Sequence, residues 1–151
     1  MTRLLPLLPL LLLLGSAAYR SPVPTLQRVP SRLSCYEIAE IVTGASSVTL
    51  KGLCFAESSL GTNLNHPDPH DRGWFGLHET PEIHAERVRL YGEYDADDPT
   101  QAAYISGRYY MDNLSKLGSE DRAIAAHKQG PTGVRRDGID VEYVERVRTG
   151  I

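Results

Sequence analysis

Glu57 closes the apolar run Cys54-Phe55-Ala56-Glu57 and is followed at once by two hydroxyls, Ser58 and Ser59. A carboxyl group pressed against apolar or aromatic side chains loses hydration, which disfavours its charged form and raises its pKa. Kept protonated near neutral pH, such a group can pass a proton to a leaving oxygen. Two more segments follow in order: the glycine-rich aromatic patch Gly73-Trp74-Phe75-Gly76-Leu77, and an alanine-rich stretch ending Gly130-Pro131. A glutamate at a helix end is by itself more often a solvated surface charge. The ordered set of segments makes Glu57 the candidate general acid.

Other residue types invite other chemistry. His66, Asp68, His70, His78 and His84 suggest zinc, but their spacing around Pro67 and Pro69 fits no structural zinc pattern, and a solvated loop is the simpler reading. The chain has two cysteines, Cys35 and Cys54. In an exported protein two thiols more often pair than stay free, so a clip between neighbouring helices is expected, with two buried reduced thiols as the alternative. Neither has the surroundings of a catalytic thiolate. His127 is read equally as a satisfied core histidine or a site partner. Trp74 and Phe75 are read equally as core or cleft wall.

The elements that must position these groups are mainly helical. Ser31 or Ser34 can cap a helix to about Thr43, with Leu33, Ile38, Ile41 and Val42 on its apolar side and Gly44 ending it. Ser46 or Ser47 starts a second helix that runs to Glu57 or Ser59, which places Glu57 in the last turn of a largely buried helix. Residues 61–72 are polar and read as a loop. Thr80 and Pro81 open a helix to Tyr91; Asp98 and Pro99 open another, with Tyr104, Tyr110, Met111, Leu114 and Leu117 on its apolar face. Helices over 120–128 and 141–148 complete the domain, and strand signals are short, around Trp74 to His78.

Composition sets the outer limits. Met1-Thr2-Arg3, an apolar run from Leu4 to Leu14 and small residues through Ala18 read as a secretory signal peptide over residues 1–18, cleaved after Ala18. The run is too short for a bilayer span of about 20 residues. Residues 19–30, with Pro22, Pro24 and Pro30, read as a linker, and residues 31–151 as one domain. The net charge of −3 lacks the clustered basic excess of a nucleic-acid binder.

In this order the segments resemble the soluble lytic transglycosylase family, whose domain has the lysozyme-like fold. The resemblance covers about residues 31–147, nearly all of the expected mature chain. The family's Glu-Ser-Ser motif is matched by Glu57-Ser58-Ser59. Its Gly-x-x-Gly-Leu-Met-Gln motif is matched by Gly73-Trp74-Phe75-Gly76-Leu77-His78-Glu79. A helix carrying Gly and Tyr-Leu is matched by Ala103-Tyr104 through Gly107, Tyr110 and Met111. Ala125-Ala126-His127-Lys128-Gln129-Gly130-Pro131 stands for Ala-Ala-Tyr-Asn-Ala-Gly-Pro, and Tyr143-Val144 with Val147 for a terminal Tyr-Val-x-x-Val. The chain departs from the pattern where Glu79 replaces Gln, His78 replaces Met and Ala103 replaces Asn. His127 takes the place of the tyrosine that supports the glutamate, and Lys128 that of the next Asn.

The resemblance implies a mainly α, lysozyme-like domain that cleaves the bond between N-acetylmuramic acid and N-acetylglucosamine. Glu57 would act as acid and then base to form a 1,6-anhydromuramoyl product. Ser58 or Ser59 would orient the sugar or the glutamate, the backbone around Gly76 and Leu77 would line the cleft, and Tyr110 and His127 would stand near Glu57. His78 and Glu79 would also touch substrate. No cofactor and no metal is implied. The expected partner is the peptidoglycan glycan strand, with no nucleic acid and no stable membrane insertion, and the expected setting is a monomer in the periplasm or cell envelope of a bacterium. Two alternatives stand beside this: a hydrolytic muramidase of goose-type lysozyme character, with Asp68, Asp71 or Glu79 positioning a water, and a non-catalytic peptidoglycan-binding relative.

Overall fold

Local capping chemistry sets where the helices begin. Ser34 accepts from the Glu37 amide while Glu37 reaches back to the Ser34 amide, a reciprocal cap that starts α1 (Cys35–Thr43). Gly44, in the left-handed region, ends it. Thr80 caps α3 (Pro81–Tyr91) and Asp98 caps α4 (Pro99–Leu117), each with proline at the first helical position, where a missing N–H costs nothing. Between α1 and α3 lie α2 (Ser47–Ser58) and a two-stranded antiparallel hairpin, β1 (Asp71–Arg72) with β2 (Leu77–His78). α5 (Glu120–Asp137) and α6 (Val141–Thr149) follow. The computed structural model describes residues 33–150. The expected signal peptide and all of the expected linker lie outside the described residues. No described helix is long and apolar enough to cross a membrane.

α4 is the central element, packed against α1 on one side and α5 on the other, while α2 lies along α6. Small residues make the close approaches possible. A side-chain carbon added at Gly107 of α4 would come within 2.7 Å of Thr43 Oγ1 of α1. One added at Gly52 of α2 would collide with the Val147 carbonyl oxygen of α6. The core between these layers includes Leu50, Leu53, Phe75, Ile105, Ile124, Tyr143 and Val147. Gly52→Ala is therefore expected to force α6 off α2 and destabilise the fold by about 1–3 kcal/mol, the usual effect of overpacking. A urea-unfolding midpoint equal to that of the wild type would show that the two helices separate freely.

Several expectations need correction. On α1 the buried residue is Ala39; Leu33, Ile41 and Val42 are exposed, Ile41 by 74%. The helix that contacts α4 this closely must present small residues, so the bulky aliphatics turn outward. α5 continues beyond residue 128 but is broken at Gly130, whose φ of +69° and ψ of 158° leave the helical region just before Pro131. Cys35 and Cys54 are both free thiols, so the expected clip is not formed. Cys54 is enclosed in the core, where its sulfur accepts from the Tyr36 hydroxyl at 3.3 Å. Burial, helped by Cys54 beside it, pushes the Cys35 thiol up to about 11.

Candidate active site

Glu57 stands in the last turn of α2, partly exposed on the wall of a cleft of about 640 Å³. The hairpin side of that cleft carries Asp68, Asp71, Gly76, Leu77 and His78. α3 contributes Ile83, Glu86, Arg87, Leu90 and Tyr91, α4 contributes Tyr109, Asn113 and Lys116, and α5 contributes His127 to Pro131.

Both carboxylate oxygens of Glu57 are confined. Oε1 accepts from the Tyr143 hydroxyl at 2.5 Å. Oε2 faces Gly76, where an added side-chain carbon would lie 2.7 Å away. Gly76 is needed there twice over, because its φ of +54° also disfavours any residue with a side chain. Tyr143 is buried in α6, with Lys128 Nζ 5.5 Å and Arg146 Cζ 5.6 Å from its ring centre. Burial first, and then the neighbouring Glu57, push the phenol well above its ordinary pKa of 10.0, so it stays a hydrogen-bond donor.

His127 lies close by. Its Nε2 donates to the Phe75 carbonyl at 3.1 Å, and its Nδ1 is buried with no partner among the described residues. Burial lowers its pKa below the ordinary 6.5, and the charge of Glu57 opposes the shift without cancelling it. The unfolded chain takes up this proton near pH 6.5 and the folded protein only lower, so the unfolded state binds more protons across that interval. The stability contribution is complete above about pH 6.5 and is lost as pH falls through the folded value. His127→Asn should flatten this part of the pH dependence, measured as the fall in melting temperature on acidification. An equal fall in wild type and variant would assign the acid sensitivity elsewhere.

The structure brings together only part of the predicted site. Gly76, Leu77, His78 and His127 line the cleft with Glu57. Ser58 does not: its side chain is buried, donating to the Trp74 carbonyl at 2.6 Å and accepting from the Gly61 amide at 2.8 Å. Ser59 is the exposed left-handed cap of α2, with φ of 51°. The two serines fasten the helix end to the following loop, and neither lines the cleft. Glu79, the residue after β2, is not part of the cleft lining either. Its Oε1 accepts from Arg87 Nη1 at 2.5 Å and the Tyr94 hydroxyl at 2.6 Å, and its Oε2 is 2.6 Å from His84 Nδ1.

Tyr110 is buried outside the cleft lining, and its neighbour Tyr109 occupies the wall instead. Phe75 is core, edge-on to Tyr36, and the Trp74 ring covers Gly61. Phe55 is 37% exposed and packs on Gly150, and none of these three aromatic residues belongs to the cleft lining.

Tyr143 is the site residue that sequence reasoning missed. It entered only as the Tyr of the Tyr143-Val144 and Val147 match, with no role at the site assigned to it. Its aromatic hydroxyl within that apolar stripe was the available signal, since a buried tyrosine hydroxyl needs a partner.

Among the described residues one group of side chains has metal-ligand chemistry. Ligand atoms of Asp68, Asp71 and His78 all lie within 4.8 Å of one another, and His78 Nδ1 is 2.8 Å from Asp71 Oδ1. Cross-strand pairing of Asp71 with His78 creates this proximity. Of the other loop and hairpin histidines, His70 lies edge-on to His78 with ring centres 5.7 Å apart, His66 bonds the Gly73 carbonyl at 2.9 Å, and His84 meets Glu79.

Comparison with models of known protein families, with curated proteins and with solved structures finds no match for this chain.

Proposed function

We propose that this protein cleaves the glycan strand of peptidoglycan as a lytic transglycosylase, with Glu57 as its single acid and base and a lysozyme-like helical frame around it. The observation that carries the reading is the confinement of Glu57: a buried Tyr143 holds one carboxylate oxygen and Gly76 backs the other, inside an open cleft. That arrangement fixes the carboxyl while leaving it within reach of a bound sugar.

In the proposed reaction the Glu57 carboxyl donates its proton to the glycosidic oxygen as the bond from the muramic C1 breaks. The substrate's 2-acetamido group stabilises the cationic C1 as its positive character develops. The Glu57 carboxylate then takes the proton from the muramic 6-hydroxyl, and O6 closes on C1. The carboxyl is restored, and no water is consumed. Tyr143 is a positioning residue in this scheme, and His127, tied through Nε2 to the Phe75 carbonyl, packs beside it.

A hydrolytic outcome is the second reading, because Asp68 and Asp71 line the same cleft as Glu57. A carboxylate across the sugar could activate a water in place of O6. Mass analysis of digested peptidoglycan separates the readings. Anhydromuramoyl ends support the transglycosylase, reducing ends one water heavier support the hydrolase, and intact strands that still bind the protein would leave only a binding role.

A further inference from the structure

On the hairpin wall of the cleft, Asp68, Asp71 and His78 have no part in the transglycosylase scheme. They combine one imidazole nitrogen with two carboxylate oxygens. Asp71 and His78 are cross-strand partners on β1 and β2, and Asp68 joins them from the loop before β1. His78 Nδ1 stands 2.8 Å from Asp71 Oδ1 and 3.8 Å from Asp68 Oδ2, with all three ligand atoms within 4.8 Å of one another. Atoms that share a zinc ion at about 2.0–2.2 Å stand about 3–4 Å apart, so side-chain shifts of about 1 Å or less give a coordination shell.

Charge and support both favour a cation there. Among the described residues His78 is the only ion-pair partner of either carboxylate. Arg72, next in the chain, is committed to Asp97, and Arg87 to Glu79. Two carboxylates this close repel, and a divalent ion between them removes the repulsion. Asp68 is also oriented in advance. Its Oδ1 accepts from the His70 amide at 2.8 Å, while its Oδ2 is the oxygen nearer His78. Carboxylates that bind metals are commonly held by a further hydrogen bond of this kind. All three side chains are partly exposed, so an ion has a path to them.

We propose that Asp68 Oδ2, Asp71 Oδ1 and His78 Nδ1 bind a divalent transition-metal ion, with zinc the best match. The imidazole selects against magnesium and calcium, which prefer oxygen ligands. Three protein ligands leave a fourth position for water or a ligand in the cleft, unlike the closed four-ligand shell of a structural zinc site. The proton that His78 Nδ1 shares with Asp71 leaves for solvent or for Nε2 as the metal binds. The site is independent of the peptidoglycan reading and of the role of Glu57.

Calorimetric titration of the full chain with zinc tests the proposal. One ion should bind per chain, the melting temperature should rise with zinc concentration, and calcium should bind about tenfold or more weakly than zinc. Asp68→Asn is the cleanest variant, because its Oδ1 keeps the contact with the His70 amide while an amide nitrogen replaces the ligand oxygen. Asp68→Asn and His78→Gln should each weaken zinc binding by about tenfold or more, at least the cost of losing a group that merely orients a ligand. Should His78→Gln fail to fold, Asp68→Asn decides alone. Cobalt(II) in place of zinc should show ligand-field bands without the charge-transfer absorption of a thiolate ligand. A thiolate band would move the ion to a cysteine and overturn the site. So would the absence of saturable zinc binding, equal affinity for calcium, or zinc affinity unchanged in Asp68→Asn.

Discussion

Glu57→Gln should abolish cleavage of peptidoglycan while glycan binding and the fold persist. Glutamine keeps the length of the side chain, and its carbonyl oxygen can still accept from Tyr143, now at 2.5 Å from Oε1. Its amide fits the space beside Gly76 that Oε2 occupies. What glutamine lacks is an exchangeable acid proton. If Glu57 first donates to the glycosidic oxygen and then accepts from the 6-hydroxyl, the substitution removes both steps. Each proton transfer is worth about 10²–10⁴-fold. Residual cutting should therefore fall below detection in an ordinary digest. The check is paired: release of muropeptides, and retention on insoluble peptidoglycan together with the melting temperature. Near wild-type cutting would end the assignment of Glu57 as acid and base. An unfolded variant would make Glu57 a structural group tied to Tyr143.

The parts of this architecture that were legible in the sequence are those set by short-range chemistry. Ser34, Thr80-Pro81 and Asp98-Pro99 announce helix starts because a capping oxygen or a proline acts within one turn. Glu57 was placed in the last turn of its helix by the same logic. What was hidden depends on the direction of a side chain around an element. Tyr109 and Tyr110 differ by one residue, about 100° around α4, and only the packing of α4 on its neighbours decides which meets the cleft. His78 and Glu79 likewise divide between the Asp68–Asp71 group and the Arg87–Tyr94 group. Tyr143 is 86 residues from Glu57, and no local pattern encodes that contact. The serines after Glu57 were read as substrate groups because hydroxyls beside a catalytic candidate invite it. Their geometry shows the nearer demand, that of ending a helix in the left-handed region and holding the next loop.

Glu79 supplies the second large expected effect, and its direction follows from where the side chain turns. A carboxylate in the cleft could hold an attacking water, and Glu79→Gln would then stop hydrolysis with little effect on stability. The side chain instead lies 9% exposed behind β2, against an Arg87 side chain that is 13% exposed. Arg87 also donates to the His78 carbonyl and lies 5.9 Å from the Tyr109 ring centre, so this pair joins the hairpin to α3 and α4. Neutralising Glu79 leaves the guanidinium largely desolvated without its counter-charge. It also forces an amide among the donors of Arg87 and Tyr94. Breaking one side of a buried pair costs about 3–5 kcal/mol, and the partial exposure here places the expectation at the lower end, about 3 kcal/mol. Equilibrium unfolding in urea should show this loss. Below the variant's transition temperature, the product distribution and the rate per folded molecule should match those of the wild type. A variant as stable as wild type but unable to cut would place Glu79 in the chemistry and favour the hydrolytic reading. If it loses stability but keeps its products, Glu79 is a structural group that holds the hairpin in place against α3 and α4.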